Sequence, residues 1–325
     1  MAQPRGTNIL HGETSYQMIL RIFHIFPLTN RQPSATMDQL STIILAASLF
    51  IIMLGMGLSL VLDDFKRIFL YPKAVIVGLT NQLILLPLIG FAIASSFNVR
   101  PEIAVGLMIL AACPGGPTSN LIVLLARGNT ALSVTLTAMS SFITILTIPF
   151  IVNIALEQFL DQGQVIQLDV VQTIIQVMVI IIIPIIVGML IRKYKGDFAN
   201  KMAKPVRIAS GIVIMLVIAG ITIKEKDNIG AYLQEAGLVA MALNIATMLV
   251  GFYTAKMFKL NDKSALSVSI ESGIQNGTLA ISIAVVLLNN SEFAVAPAVY
   301  GLLMFFTGGA VIWWGSRRFA RYKES

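Results

Sequence analysis

Along most of the chain, runs of roughly 20 mostly apolar residues alternate with short polar gaps, and a run of that length crosses about 30 Å of hydrocarbon as a helix. Nine runs qualify, beginning near Leu40, Tyr71, Pro101, Asn129, Asp169, Pro205, Gly230, Ser264 and Phe293, the last ending near Trp314. The pattern predicts an all-α polytopic membrane protein with nine transmembrane helices over residues 38–315. A basic tail follows at 316–325. Residues 1–37 fit less well: YQMILRIFHIF, from Tyr16 to Phe26, is too short to span and is interrupted by Arg21 and His24. They read as an interfacial or disordered tail, and Met37 is a candidate natural start.

Composition agrees with the pattern. Of 325 residues, 56% are hydrophobic and only 12% charged, and the mean hydropathy is +0.83. The net charge of +7 does not point to nucleic acid, because the basic residues sit in gaps between apolar runs and form no polar face. It is topological instead. Of the 23 Lys and Arg, 17 fall in the gaps after odd-numbered runs or in the C-terminal tail, including Lys66, Arg127, Arg192, Lys256, Lys263 and Arg317. Such residues are retained on the cytoplasmic side, so the C-terminus is expected inside and the N-terminus outside a plasma or inner membrane. Trp313 and Trp314, just before Arg317, fit an interfacial aromatic belt. Cys113 is the only cysteine, and both histidines lie in the N-terminal tail. A Cys/His transition-metal centre and catalysis through a core His are therefore excluded.

Two runs contain their own interruptions. The third reads PEIAVGLMILAAC, then PGGP, then TSNLIVLLA, with neither half long enough to span alone. Proline removes a donor and clashes with the preceding turn, so PGGP is expected to unwind the helix near its middle. The eighth run, Ser264 to Leu288, carries Glu271, Gly273, Gln275, Asn276 and Gly277 at its centre. Glu271 lies about 10 Å into that run, where a charge costs at least ~2.5 kcal/mol. Each broken run is next to last in its half, taking residues 38–160 as repeat one and 165–315 as repeat two. Paired breaks of this kind point to a secondary transporter with inverted repeats, its broken helices crossing at the midplane.

The crossing is expected to gather oxygens suited to a hard monovalent cation. Ser119 and Asn120 follow the first break, and Ser133 and Thr137 are four apart on the next run, continued by Ser140, Ser141 and Thr144. Glu271, Gln275 and freed carbonyls near Ser272 and Ile274 come from the second break, and Asn81 and Gln82 from the second run. A proton carrier needs the carboxyl but not the surrounding hydroxyls and amides, which favours Na⁺ over H⁺. Amides at the starts of the second half-helices suit an anionic substrate group. No Lys-Ser/Thr follows PGGP, which argues against a nucleotide loop.

CPGGPTSN, ARGNTALSVTLTAMSS and IESGIQNGTLA resemble signature segments of the bile acid:sodium symporter family, and IIMLGMGLSLVLDDF resembles its approach to the first cytoplasmic loop. The resemblance runs from about Met37 to Trp314. It implies a nine-span form of a ten-span fold, with a panel domain (runs one, five and six) moving against a core of the other six. It implies a first sodium site at Ser119, Asn120, Ser133, Thr137 and Glu271, and a second at Gln82, Glu271, Gln275 and the carbonyls of Ser272 and Ile274. Substrate contacts map to Thr118 and Asn276.

Many relatives similar to bile-acid carriers have Thr at the position of Pro117, so a hydroxyl beside the substrate is missing here. The expected activity is sodium-coupled symport of an organic anion, bile-acid-like, pantoate-like or a keto acid, by a monomer using alternating access. Na⁺ is the coupling ion and no cofactor is implied. The alternative is an exporter or cation/proton antiporter on a related fold, such as an arsenite efflux permease, for which Cys113 is the only prompt. A ligand-binding membrane sensor ranks below both, and no set of nucleophile, base and oxyanion donors supports an enzyme.

Overall fold

The computed structural model describes residues 50–160, 170–202, 229–288 and 290–320, with positions 205, 206, 208, 209, 212 and 219 between. The tail 1–37, the start of the first run at Leu40, most of the run beginning at Pro205, the repeat boundary at 165 and residues 321–325 lie outside the described residues. The described chain is helical. Its helices are α1 (Phe50–Ser59), α2 (Leu62–Lys66), α3 (Pro72–Ser96), α4 (Pro101–Ala112), α5 (Pro117–Leu125) and α6 (Thr130–Phe159). They continue as α7 (Val170–Tyr194), α8 (Ile229–Met257), α9 (Asp262–Gly273), α10 (Gly277–Leu287) and α11 (Val295–Ala320).

Local chemistry explains where these helices start and stop. Pro72, Pro101 and Pro117 occupy first-turn positions of α3, α4 and α5, where the missing N–H has no intrahelical partner in any case. Asn129, Asn261 and Asn276 cap α6, α9 and α10, their side chains accepting from Leu132 N (3.1 Å), Ser264 N (2.8 Å) and Leu279 N (3.1 Å). After α5 and α8 the chain reverses through Arg127 and Lys259, both at φ 59°. Gly128 N then bonds Val123 O at 2.9 Å and Leu260 N bonds Ala255 O at 3.0 Å, a Schellman closure in each case.

Four helices among the described residues are long and apolar enough to cross a membrane: 72–96, 130–159, 234–257 and 292–319. By contrast α4 and α5, with 12 and 9 residues, reach only about 18 and 14 Å at ~1.5 Å per residue. They cross only as a pair, and α9 and α10 repeat the arrangement. α8 packs along α9 and α11, while α4 packs against α3, α6 and α11. Ile109, Leu110, Leu243, Ile270, Phe293 and Tyr300 fill the space between them. Leu124, Phe150, Leu249 and Phe306 stay on the outside, where a bilayer covers them at no cost. Close backbone approach joins α1 to α7: a Cβ on Gly57 would lie 2.2 Å from Ile185 O, and one on Gly188 2.5 Å from Leu54 O.

Three of the basic segments, after α5, after α8 and at the end of α11, meet at one end. Asp262 pairs with Lys256 (2.7 Å) and Arg318 (3.0 Å), and Asn129 N donates to Lys263 O (3.3 Å). Arg100 pairs with Glu235 at 3.0 Å near the opposite end of α8. Trp313 and Trp314 lie under the guanidinium groups of Arg317 and Arg318, at 4.3 and 5.3 Å.

Asn129 has two tasks at the basic end. It caps α6, and it meets Ser264 and Ser267 at the start of α9. Asn129→Ala is expected to destabilise the protein by about 1–2 kcal/mol, seen as a lower melting temperature in detergent, and Asn129→Ser to recover most of the loss.

Candidate functional site

The two helix breaks meet and satisfy each other. Residues 113–116 separate α4 from α5, and 274–276 separate α9 from α10. Asn276 N donates to Pro114 O at 3.0 Å, and Gly115 and Gln275 face each other as an antiparallel bridge. Backbone groups that lipid would leave unpaired are thereby paired inside the protein. The glycines of PGGP are not there for unusual dihedrals, since Gly116 has φ −126° and no described glycine has positive φ. Gly115 is needed for space: a Cβ there would lie 2.4 Å from Glu271 Oε2.

Glu271 is buried against that gap and faces three hydroxyls. Its Oε1 accepts from Ser119 Oγ at 2.8 Å and from Ser133 Oγ; its Oε2 accepts from Thr137 Oγ1 at 3.0 Å. The same hydroxyls approach other acceptors. Ser119 Oγ lies 2.7 Å from Gly116 O, and Ser133 Oγ and Thr137 Oγ1 lie 2.7 and 3.2 Å from Asn120 Oδ1. Three hydroxyl protons thus face six donor–acceptor contacts. A hydroxyl has one proton and two lone pairs, so the cluster holds more electron pairs than protons. That is the chemistry of a cation-binding cage built from one carboxylate and neutral oxygens.

A second set of oxygens adjoins the first through Gln82. This residue sits in a π-helical stretch of α3, Asn81–Leu85, an irregularity common at functional sites. Gln82 Nε2 donates to Cys113 O (3.0 Å) and Gln275 Oε1 (2.7 Å), and Gln275 Nε2 donates to Ser272 O (2.8 Å) and Glu271 O (3.2 Å). Gln82 Oε1 is buried without a partner. Ile274 is buried at the start of the second break. Asn276 Nδ2 is also buried and unpartnered, while Pro117 and Thr118 are half-buried in the first turn of α5.

Several polar residues of the apolar runs stand apart from this group. Ser140 and Ser141 donate to Thr137 O, and Thr144 to Ser141 O, so all three turn onto their own helix. Asn81 bonds Thr254 of α8 through both its amide atoms, at 2.8 and 3.1 Å. Cys113 is fully buried. Among the described residues no three His, Cys, Asp or Glu side chains come together. The sequence pattern did not single out Asn244 and Tyr300. Asn244 Nδ2 and Tyr300 OH both donate to Gly273 O, at 2.6 and 2.7 Å, beside the second break. The signal available was a lone Asn inside the apolar stretch VAMALNIATML.

Comparison with known proteins decides the relationship. The family model described as Sodium Bile acid symporter family matches residues 46–232, more than half of the chain. The chain belongs to this family. An uncharacterized sodium-dependent transporter of Bacillus subtilis is 30% identical over 82% of this chain and 81% of its own length. A probable chloroplastic sodium/metabolite cotransporter of Oryza sativa subsp. japonica is 28% identical over 86% and 65%. The human hepatic sodium/bile acid cotransporter is 26% identical over 87% and 78%. As a member of the sodium bile acid symporter family the chain is a membrane transporter and not an enzyme.

The two central glycines of this family member's first break carry unequal constraints. Gly115→Ala drives a methyl group into Glu271 Oε2, whereas a Cβ on Gly116 meets nothing nearer than 3.7 Å. Gly115→Ala is expected to cost about 1–3 kcal/mol and Gly116→Ala much less, as thermal unfolding of the two purified variants would show.

Proposed function

We propose that the protein is a secondary active transporter that carries a small organic anion together with sodium by alternating access. The observation that carries this reading is the excess of acceptors over protons around Glu271. A monovalent cation supplies the missing positive charge without the strict octahedral shell that Mg²⁺ demands. The names of its relatives, a sodium-dependent transporter and sodium/metabolite and sodium/bile acid cotransporters, support the same ion.

In this reading Ser119, Asn120, Ser133, Thr137 and Glu271 hold one sodium ion. Gln82, Gln275, Glu271 and the carbonyls of Ser272 and Ile274 hold another, with Gln82 Oε1 a buried acceptor ready for it. Asn276 Nδ2, a buried donor without a partner, and the first turn of α5 at Pro117 and Thr118 receive the negative group of the substrate. Pro117 offers no hydroxyl and no N–H there, so the anion is contacted through fewer donors than a Thr would give. A smaller anion, pantoate-like or a keto acid, suits that poorer set better than a bile acid.

The transport movement is assigned to a panel containing α1 and α7 sliding against a core holding the breaks, within an inverted repeat of nine spans. The tight Gly57 and Gly188 contact supports α1 and α7 moving as one body. Location in the plasma or inner membrane with the C-terminus in the cytoplasm is supported by the gathering of Lys256, Lys263 and Arg318 at one end.

Uptake into proteoliposomes tests the proposal. Pantoate and keto acids supplied with an inward sodium gradient are expected to accumulate, and replacement of Na⁺ by K⁺ to remove the accumulation. Accumulation that is indifferent to this exchange refutes sodium coupling. Glu271→Gln keeps the shape of the side chain but removes the charge, and is expected to lower sodium-driven uptake at least 100-fold. Sodium dependence retained in that variant refutes the residue assignment.

A further inference from the structure

Among the described residues, outside the oxygens assigned to the ions, the most heavily built polar group is the contact of α8 and α11 with the end of α9. Gly273 is the last residue of α9, and a carbonyl at a helix C-terminus lacks an intrahelical donor. This one receives two. Asn244 Nδ2 of α8 donates at 2.6 Å and Tyr300 OH of α11 at 2.7 Å, and Asn244 Nδ2 and Tyr300 OH are 3.2 Å from each other. Both side chains are fully buried.

The backbone around Gly273 is seated on α8 as well. A Cβ on Gly273 would fall 2.0 Å from Met248 Cγ, one on Gly251 would fall 2.8 Å from Ser272 Oγ, and Ser269 Oγ donates to Met248 O at 2.7 Å. Residues 269–273 therefore rest against the 244–251 face of α8, with the two-donor grip at the very residue where the helix stops.

Packing alone gives no reason for this chemistry. Asn244 Oδ1 is buried without a partner, a standing penalty that an apolar side chain of similar size would remove. What the polar choice achieves is control of one peptide group. Gly273 is flanked by Glu271 and Ser272 on one side and by Ile274 and Gln275 on the other. Rotation of its peptide moves the backbone that carries all four.

We infer that Asn244 and Tyr300 are positioning residues for ion binding: by gripping the Gly273 carbonyl they fix the spacing of the second break's oxygens and so set the affinity for sodium. This rests on the sodium reading above. Neither residue touches the ion. Each acts through the peptide that the break leaves free.

Melting temperature in detergent, measured across NaCl concentrations at constant ionic strength with KCl as replacement, separates positioning from packing. Wild-type protein is expected to gain stability with sodium and to define a midpoint, since a ligand bound only by the folded state raises apparent stability. Tyr300→Phe keeps the ring and removes only the hydroxyl; it is expected to raise the sodium midpoint about tenfold, the loss of roughly one hydrogen bond's worth of binding, with sodium-free melting close to wild type. Asn244→Ala is expected to shift the midpoint in the same direction, and gives a second reading should either variant fold poorly. Midpoints within twofold of wild type in both variants overturn the inference, whatever happens to sodium-free melting. A wild-type protein that shows no sodium midpoint removes the sodium reading and this inference with it.

Discussion

A carboxylate in the middle of a membrane protein must be compensated, and the way Glu271 is compensated shapes everything around it. Removal of its charge from water costs at least ~2.5 kcal/mol even by the gentlest membrane scale. Three hydroxyls from two helices offset that cost by hydrogen bonds to the charged group, which are stronger than neutral ones. Ser119 comes from α5, Ser133 and Thr137 from successive turns of α6. Ser119 meets the carboxylate from the first turn of α5, directly after the break, and a side chain at 115 would occupy the space of Oε2.

A break so placed frees backbone groups, and a second break at the same level answers them. Pro114 O takes the N–H of Asn276, and Gly115 faces Gln275. The two interruptions are thus one structural unit, each unstable in lipid without the other. Gln82 ties that unit to α3 by donating to a residue on each side, Cys113 O and Gln275 Oε1. Asn244 and Tyr300 tie it to α8 and α11. Helices long enough to cross on their own, such as α6 and α8, form the frame, and the short pairs α4–α5 and α9–α10 carry the polar chemistry it supports.

Much of this was legible in the sequence because lipid punishes exceptions. Four consecutive helix breakers, or a Glu ten ångströms inside an apolar run, have few explanations other than a protein-lined site. Hydroxyls at positions 133 and 137 share a helical face by spacing alone, and the structure brings both to Glu271. Ser140, Ser141 and Thr144 continue that face but bond carbonyls of their own helix, because a hydroxyl in a helix has its own backbone carbonyl within reach and takes it unless a better acceptor faces it. Asn81 and Gln82 are neighbours in sequence and differ in role, one joining α3 to α8 and the other reaching the breaks. Adjacent residues on a helix point about 100° apart, and which of the two faces a site depends on how the helix is turned against its neighbours, which residue types alone do not encode. The role of Gly115 was hidden for a related reason. PGGP reads as a helix break, yet neither glycine has a positive φ, and Gly115 leaves room for a side chain 156 positions away.

In the proposed mechanism one carboxylate serves two cations, and simple charge counting then links ion binding to substrate binding. With Glu271 ionised, the empty site carries −1, and one sodium ion makes it neutral. A second ion leaves the site at +1, in a region where water is scarce. At an effective dielectric constant of ~20, an anion about 6 Å away recovers about 3 kcal/mol from that excess charge, which corresponds to more than a hundredfold in the affinity of either species. Linkage makes the effect reciprocal: the second sodium strengthens anion binding by the same factor by which the anion strengthens sodium binding. The only fully loaded neutral state contains two sodium ions and one monovalent anion. Asn276 Nδ2, a neutral donor buried beside the breaks, is in this reading the group that meets the anion. A neutral donor attracts an anion less strongly than a fixed cation does, so in this reading most of the charge that holds the anion comes from the bound sodium ions.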